Sequence, residues 1–165
     1  MENLLYINTN KHPIDAIENY AEEANLNLFR STIDEVAISV LGATCNYQIN
    51  FNWNNDLEGL HIATIYETKI PKYKLDEIYR LTIKINELLW LGHFDIWTDE
   101  LKLLFRYNLL LSGGLEPTRE QFSSILKHIT ETSEKYYATF QYVIWGGSNP
   151  EEAIKNSIFK TMGES

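Results

Sequence analysis

The sequence predicts an α+β domain, an antiparallel sheet with helices packed mainly on one face. Three observations carry that expectation. In Cys45-Asn46-Tyr47-Gln48-Ile49-Asn50-Phe51-Asn52-Trp53 every odd position is apolar and every even one carries an amide, the period of a strand with one face in a core and one in water. Other stretches place apolar residues at three- and four-residue steps, the helical period. The strand-like stretches come in runs broken once by a helix, which is the order of an antiparallel sheet rather than of alternating parallel units.

Taken in order, Pro13 suits the first turn of a helix, where its fixed φ helps and its missing N–H is not needed. Ile14, Ile17, Tyr20, Ala21 and Ala24 continue that helix toward Asn25, opposite Asp15, Glu18, Glu22 and Glu23. A short strand is expected over 28–31, a turn near Asp34, and a second strand in which Val36, Ile38 and Val40 alternate with Ala37 and Ser39 before Gly42. The amide-alternating strand follows, then a turn at Asn54-Asn55-Asp56. Its partner over 60–67 puts Leu60, Ile62, Thr64 and Tyr66 on one face and His61, Ala63 and Ile65 on the other. Pro71 opens a second helix through Leu75, Ile78, Leu81, Ile85 and Leu88, expected to stop at Gly92, with Leu89, Trp90 and Leu91 widening its apolar surface. A hairpin then runs from 94–97 through Thr98-Asp99-Glu100 to 101–111 and ends at Ser112-Gly113-Gly114. Thr118 and Gln121 form a capping box in front of a long third helix that reaches Gly146-Gly147, roughly 27 residues or about 40 Å. Asn149 and Glu152 form a second box, with Pro150 at the first position of a final helix through Ala153, Ile154, Ile158 and Met162. The expected order is α-β-β-β-(β)-α-β-β-α-α, in a single domain over 1–165 with its core at about 13–163.

At 165 residues and 44% hydrophobic content the chain can bury about 70% of its unfolded surface without a staple. Its 23 acidic and 14 basic side chains give a formal charge of −9, which leaves no general phosphate-neutralising surface and excludes nucleic acid and anionic membrane as default partners. The excess is uneven. Residues 1–70 hold 10 acidic and 3 basic side chains, against 13 and 11 in residues 71–165. A small basic cluster, Lys69, Lys72, Lys74, Arg80 and Lys84, is interleaved with Asp76 and Glu77 and reads as a solvated helix face. The start of the chain has neither the basic region nor the apolar run of a signal peptide, and no stretch has the 18 or more uncharged apolar residues of a membrane helix, so a cytoplasmic location is expected.

The chemistry-bearing residues are few. Cys45 is the single cysteine, which excludes an internal disulfide and the common cysteine zinc sites; its parity in the strand marks it as a buried small hydrophobe. There is no GxGxxG, Walker lysine, HExxH or CxxC. His12 falls at a helix entry and His128 on a solvated helix face. His61 and His93 are the one histidine pair able to converge, and with Asp95 they are the candidates for a metal site or a hydrolase. Structural roles are the simpler reading, so no catalytic, cofactor or metal residue is assigned. Residues 136–145 contain five aromatics, more than one helical stripe can hide, and Tyr137 and Tyr142 are expected to point away from the core stripe toward an interface. An aromatic ligand pocket from Tyr47, Trp53, Trp90 and Trp97 is the alternative.

The run Asn86-Glu87-Leu88-Leu89-Trp90-Leu91-Gly92-His93-Phe94-Asp95-Ile96-Trp97, followed by Phe105-Arg106-Tyr107 and Leu109-Leu110-Leu111, resembles the bacterial YbjN domain family. The stretches 45–53, Leu60-His61 and 136–147 resemble its alphaproteobacterial branch, so the likeness spans about residues 13–163. The resemblance implies a fold similar to type III secretion chaperones, which are small acidic homodimers that bind partner segments on apolar patches, and a regulatory role in sensory transduction with no catalytic residues. The fourth helix departs from the secretion-chaperone pattern. The function expected is therefore a non-enzymatic cytoplasmic module, homodimeric, that binds a protein or peptide segment. Trp90, His93, Trp97, Arg106, Tyr137 and Tyr142 are its candidate contact residues, and a small-ligand sensory domain is the alternative. Arg106 is expected to pair with a nearby carboxylate.

Overall fold

The computed structural model describes residues 12–147 and 149–162. The N-terminal residues read above for a targeting segment, and the side chains of Ile158 and Met162, lie outside the described residues. The elements are α1 (Pro13–Glu23), β1 (Asn27–Thr32), β2 (Glu35–Leu41), β3 (Asn46–Asn54), β4 (Gly59–Lys69), a 3-10 turn (Lys72–Lys74), α2 (Leu75–Asn86), β5 (His93–Trp97), β6 (Lys102–Leu110), α3 (Arg119–Trp145) and α4 (Pro150–Met162). The predicted order of strands and helices is the order observed.

Six antiparallel strands form one sheet in the order β1-β2-β3-β4-β6-β5. The registers Val36↔Phe51, Phe51↔Ile62, Ile62↔Tyr107 and Phe94↔Phe105 align the inward side chains into rows. Ile38, Tyr47, Ile49, Phe51, Ile62 and Phe105 are buried there against α1, α2 and α3. The opposite face carries Gln48, Asn50, Asn52, His61, Arg106 and Asn108, and no described helix covers it. Alternation written into the sequence at period two thus becomes a layer boundary.

Local chemistry fixes the ends of the helices. His12 caps α1 by accepting the Ile14 N–H on Nδ1 at 3.3 Å, while Nε2 meets Asp34 at 3.0 Å and ties the helix entry to the β1–β2 turn. The capping box of α3 is formed in both directions, the Gln121 N–H donating to Thr118 Oγ1 and the Thr118 N–H to Gln121 Oε1. Asn149 accepts the Glu152 N–H at the start of α4, which packs on α2 and α3, and Lys84 of α2 reaches Glu151 at 3.8 Å. Arg30 on β1 donates to Asp15 and Glu18 of α1, converting part of the acidic face of that helix into an anchor for the outermost strand.

Three local expectations are corrected. The second helix stops at Asn86 rather than Gly92, because the Asn86 side chain turns to the next strand: its Oδ1 accepts the Phe94 N–H at 2.8 Å and its Nδ2 donates to the Phe94 carbonyl at 3.0 Å. Cys45 precedes β3 and is only half-buried, since pairing with β2 begins at Asn46. His128 is not merely solvated. Its Nε2 lies 2.8 Å from the Leu91 carbonyl and its ring packs near Phe105 and Tyr107, so it fastens the α2–β5 connection to α3.

Candidate functional site

The face of the sheet turned away from the helices positions most of the chemistry. Cross-strand register places His93 opposite Arg106, Asp95 opposite Leu104 and Trp97 opposite Lys102, while Arg106 faces Ala63 and Asn108 faces His61. His61, Arg106, His93 and Asp95 therefore meet on one surface, as the sequence suggested, but as an electrostatic row. Arg106 Nε stands 3.1 Å from Asp95 Oδ2, off-line for a hydrogen bond, in the carboxylate pairing expected of it. His61 Nε2 is buried without a hydrogen-bond partner, and its pKa is lowered by burial first and then by the charges of Arg106 and His93. Among the described residues no group of three His, Cys, Asp or Glu side chains is placed to hold a metal ion. The Asp95 carboxylate is engaged by the Arg106 guanidinium, a cation already in the row.

Of the six candidate contact residues, His93, Trp97 and Arg106 share this face. Trp90 does not; it projects from the α2–β5 connection and is 99% exposed. Tyr142 is exposed on α3, on the helical side of the sheet. Tyr137 is not on the surface at all. At 6% exposure it is stacked on Tyr66 with ring centroids 4.4 Å apart, and its hydroxyl is bonded to Thr68. Near its middle the long third helix buries Thr132, Ser133, Tyr136, Tyr137, Thr139 and Phe140, more of its circumference than a single stripe, so Tyr137 is covered too. The pocket imagined from Tyr47, Trp53, Trp90 and Trp97 is also divided. Trp53 packs on His12 with ring centroids 6.3 Å apart, while Tyr47 and Trp97 border a separate cavity at the far end of β3 and β4.

Sequence reasoning missed a hydrogen-bonded cluster under that cavity. Glu134 of α3 accepts the Thr44 N–H at 3.0 Å, the Tyr47 hydroxyl at 2.9 Å and the Thr44 hydroxyl. Burial raises its pKa, but the donors at Thr44, Tyr47 and Ala43 outweigh it and leave the carboxyl below its ordinary value. Tyr66 lies beside this cluster with its hydroxyl 2.6 Å from Ser133 Oγ, and burial pushes the pKa of both Tyr47 and Tyr66 up, so both stay protonated and Tyr47 donates to Glu134. No spacing signal links residues 44 and 134, which lie 90 positions apart.

A second surface is apolar. On the outer flank of α2 Tyr79 and Ile83 stand one turn apart, and the chain beyond the helix exposes Leu88, Trp90 and Leu91, with Ile83 60% and Leu91 52% exposed.

A helix-backed antiparallel sheet with one bare face is the α+β class this architecture defines. Within that class the chain belongs to the YbjN family, described as "Putative bacterial sensory transduction regulator", whose model matches residues 13–142. A solved structure titled "Crystal structure of YbjN, a putative transcription regulator from E. coli" is similar to it with a TM-score of 0.53 and 13% identity, over 72% of this chain and 84% of that one. That likeness shows the fold. No curated protein matches the sequence. No helix among the described residues is long and apolar enough to cross a membrane.

Proposed function

We propose that the protein is a non-enzymatic regulatory module of the cytoplasm that acts as a homodimer and binds a protein or peptide segment through the apolar surface beside α2 and the β5–β6 hairpin. The observation that carries this reading is Trp90. A tryptophan exposed at 99%, flanked by Leu88 and Leu91 and followed along α2 by Ile83, is a cluster of large apolar side chains in water, of the kind enriched where surfaces meet. Membership in a family of described transduction regulators supports a regulatory rather than a catalytic task. The acidic balance of −9 keeps such a module soluble while it presents that patch.

The test has two parts. Light scattering on a sizing column is expected to give about twice the 19.2 kDa chain mass. Partners captured from the native cell by the wild-type protein are expected to be lost with Trp90→Ala combined with Ile83→Ser. A monomer that captures the same proteins with and without those substitutions removes the proposal.

A further inference from the structure

The ladder between β3 and β4 stops early. Pairing runs from Asn54↔Gly59 to Ile49↔Thr64, and at its last rung the Thr64 hydroxyl donates to the Gln48 carbonyl at 2.9 Å. Beyond that point β4 stays with β6 through an irregular stretch between Ile65 and Lys69, while β3 stays with β2 back to Asn46. The two strands part, and a cavity of about 620 Å³ opens between them on the bare face, within the size range of small-molecule sites of roughly 300–1,000 Å³.

Its floor is aromatic and held rigid. The rings of Tyr47, Tyr66 and Tyr137 form it, and each hydroxyl is already bonded, to Glu134, Ser133 and Thr68 respectively. Its walls are amides: Asn46, Gln48 and Asn50 come from the outward parity of β3, and Gln141 from α3. Trp97, 44% exposed, stands at the hairpin side. The charged lining is Glu67, Glu100 and Lys102, with Lys102 and Glu67 3.8 Å apart, so the cavity carries one net negative charge.

Each feature narrows the ligand. Primary amides and carboxylates offer neighbouring donors and acceptors in one plane, which matches pairs of adjacent hydroxyl groups. The half-exposed Trp97 ring is the lining aromatic open to the C–H face of a saturated ring, while the buried tyrosines below it only close the floor. A net negative lining disfavours phosphate and carboxylate ligands. We propose that the cavity between β3 and β4 binds a small, neutral, hydroxyl-rich molecule of the sugar type. The site is independent of the partner surface at Trp90, and either can fail alone.

Cys45, half-buried at the rim and the only cysteine of the chain, reports occupancy. The experiment measures the alkylation rate of Cys45 by iodoacetamide, and saturation transfer from the protein to ligand protons, against glucose, ribose, trehalose and maltose, with glucose 6-phosphate as the anionic comparator. Saturable protection of Cys45 by at least one neutral sugar is expected, together with saturation transfer. The affinity is expected to fall about tenfold in Gln48→Ala, the cost of one well-placed hydrogen bond. Gln48 is exposed, so its truncation leaves folding intact, and Gln141→Ala supplies a second variant on another element. Absence of both signals for every neutral sugar, binding unchanged in both variants, or tighter binding of the phosphorylated sugar overturns the assignment.

Discussion

Gly92 and Asn86 show what the run that resembles the family is made of. Gly92 has a φ of +72°, and a Cβ there would collide with the Phe105 ring and stand 2.8 Å from the Arg106 carbonyl oxygen. Left-handed strain and overpacking combine, so Gly92→Ala is expected to destabilise the fold by about 3 kcal/mol, measured as a lowered urea midpoint at unchanged slope. Asn86 acts as a one-residue strand beside Phe94, and its loss in Asn86→Ala should cost roughly 1–3 kcal/mol and speed hydrogen exchange at the Phe94 amide. Both residues were visible in the sequence as part of a motif, but their purpose was not, because an asparagine near a helix end gives no sign of which later strand it will face. Glu134 was not visible at all. Its carboxyl pKa is depressed by its donors relative to the ordinary 4.5. A depressed acid contributes stability that is fully present above its unfolded value and is lost as pH falls through the folded one. Glu134→Gln should therefore destabilise by about 1–2 kcal/mol at pH 7, and the gap to wild type should narrow once pH drops below about 4.5, read by denaturant titrations across that range. His61 works in the opposite sense. Its lowered pKa means that the folded state resists the proton, so stability declines as pH falls from the ordinary 6.5 toward the folded value, and His61→Asn should flatten that part of the profile.

At the scale of elements, period-two and period-3.6 patterns located most strands and helices, because in these the burial of one face dominates the energetics, whereas β1 has no buried residue. The α3 capping box, readable from Thr118 and Gln121 alone, is formed as spaced. The misjudged end of α2 has a physical reason too. Leu88, Leu89 and Leu91 continue an apolar rhythm past Asn86, and only a partner outside the helix could stop it sooner. The exposure that results is what makes α2 interesting. Trp90→Ala is expected to change stability by less than about 0.5 kcal/mol, since a side chain 99% exposed supports nothing beneath it. Unchanged melting combined with lost partner capture is the expected pair of results; an equally stable variant that still captures every partner would place the docking surface elsewhere.

At the scale of the molecule, the acidic bias of residues 1–70 is partly consumed within the fold. Arg30 bridges Asp15 and Glu18, offsetting one of their two charges, and Arg119 reaches Glu23 from the start of α3. What remains exposed still leaves the protein strongly negative, and the apolar patch lies on elements of the better-balanced half. Partner association is expected to be held by apolar contact and only accelerated by charge. Raising ionic strength should slow the association rate while leaving the dissociation rate nearly unchanged, as surface plasmon resonance on a captured partner would record.

The outer edge of β5 has a wider consequence. The Phe94 backbone is occupied by Asn86, and the Ile96 N–H by the Asp95 carboxylate at 2.8 Å. With three of its backbone groups already engaged, that side of the sheet is a poor template for a further strand. Stacking molecules end to end into a continuous ribbon requires two adhesive edges on every copy, and this one has blunted one of them. Strand addition at β1 alone would close on itself in a pair, and the two side chains on β5 work against growth of the sheet into a fibre.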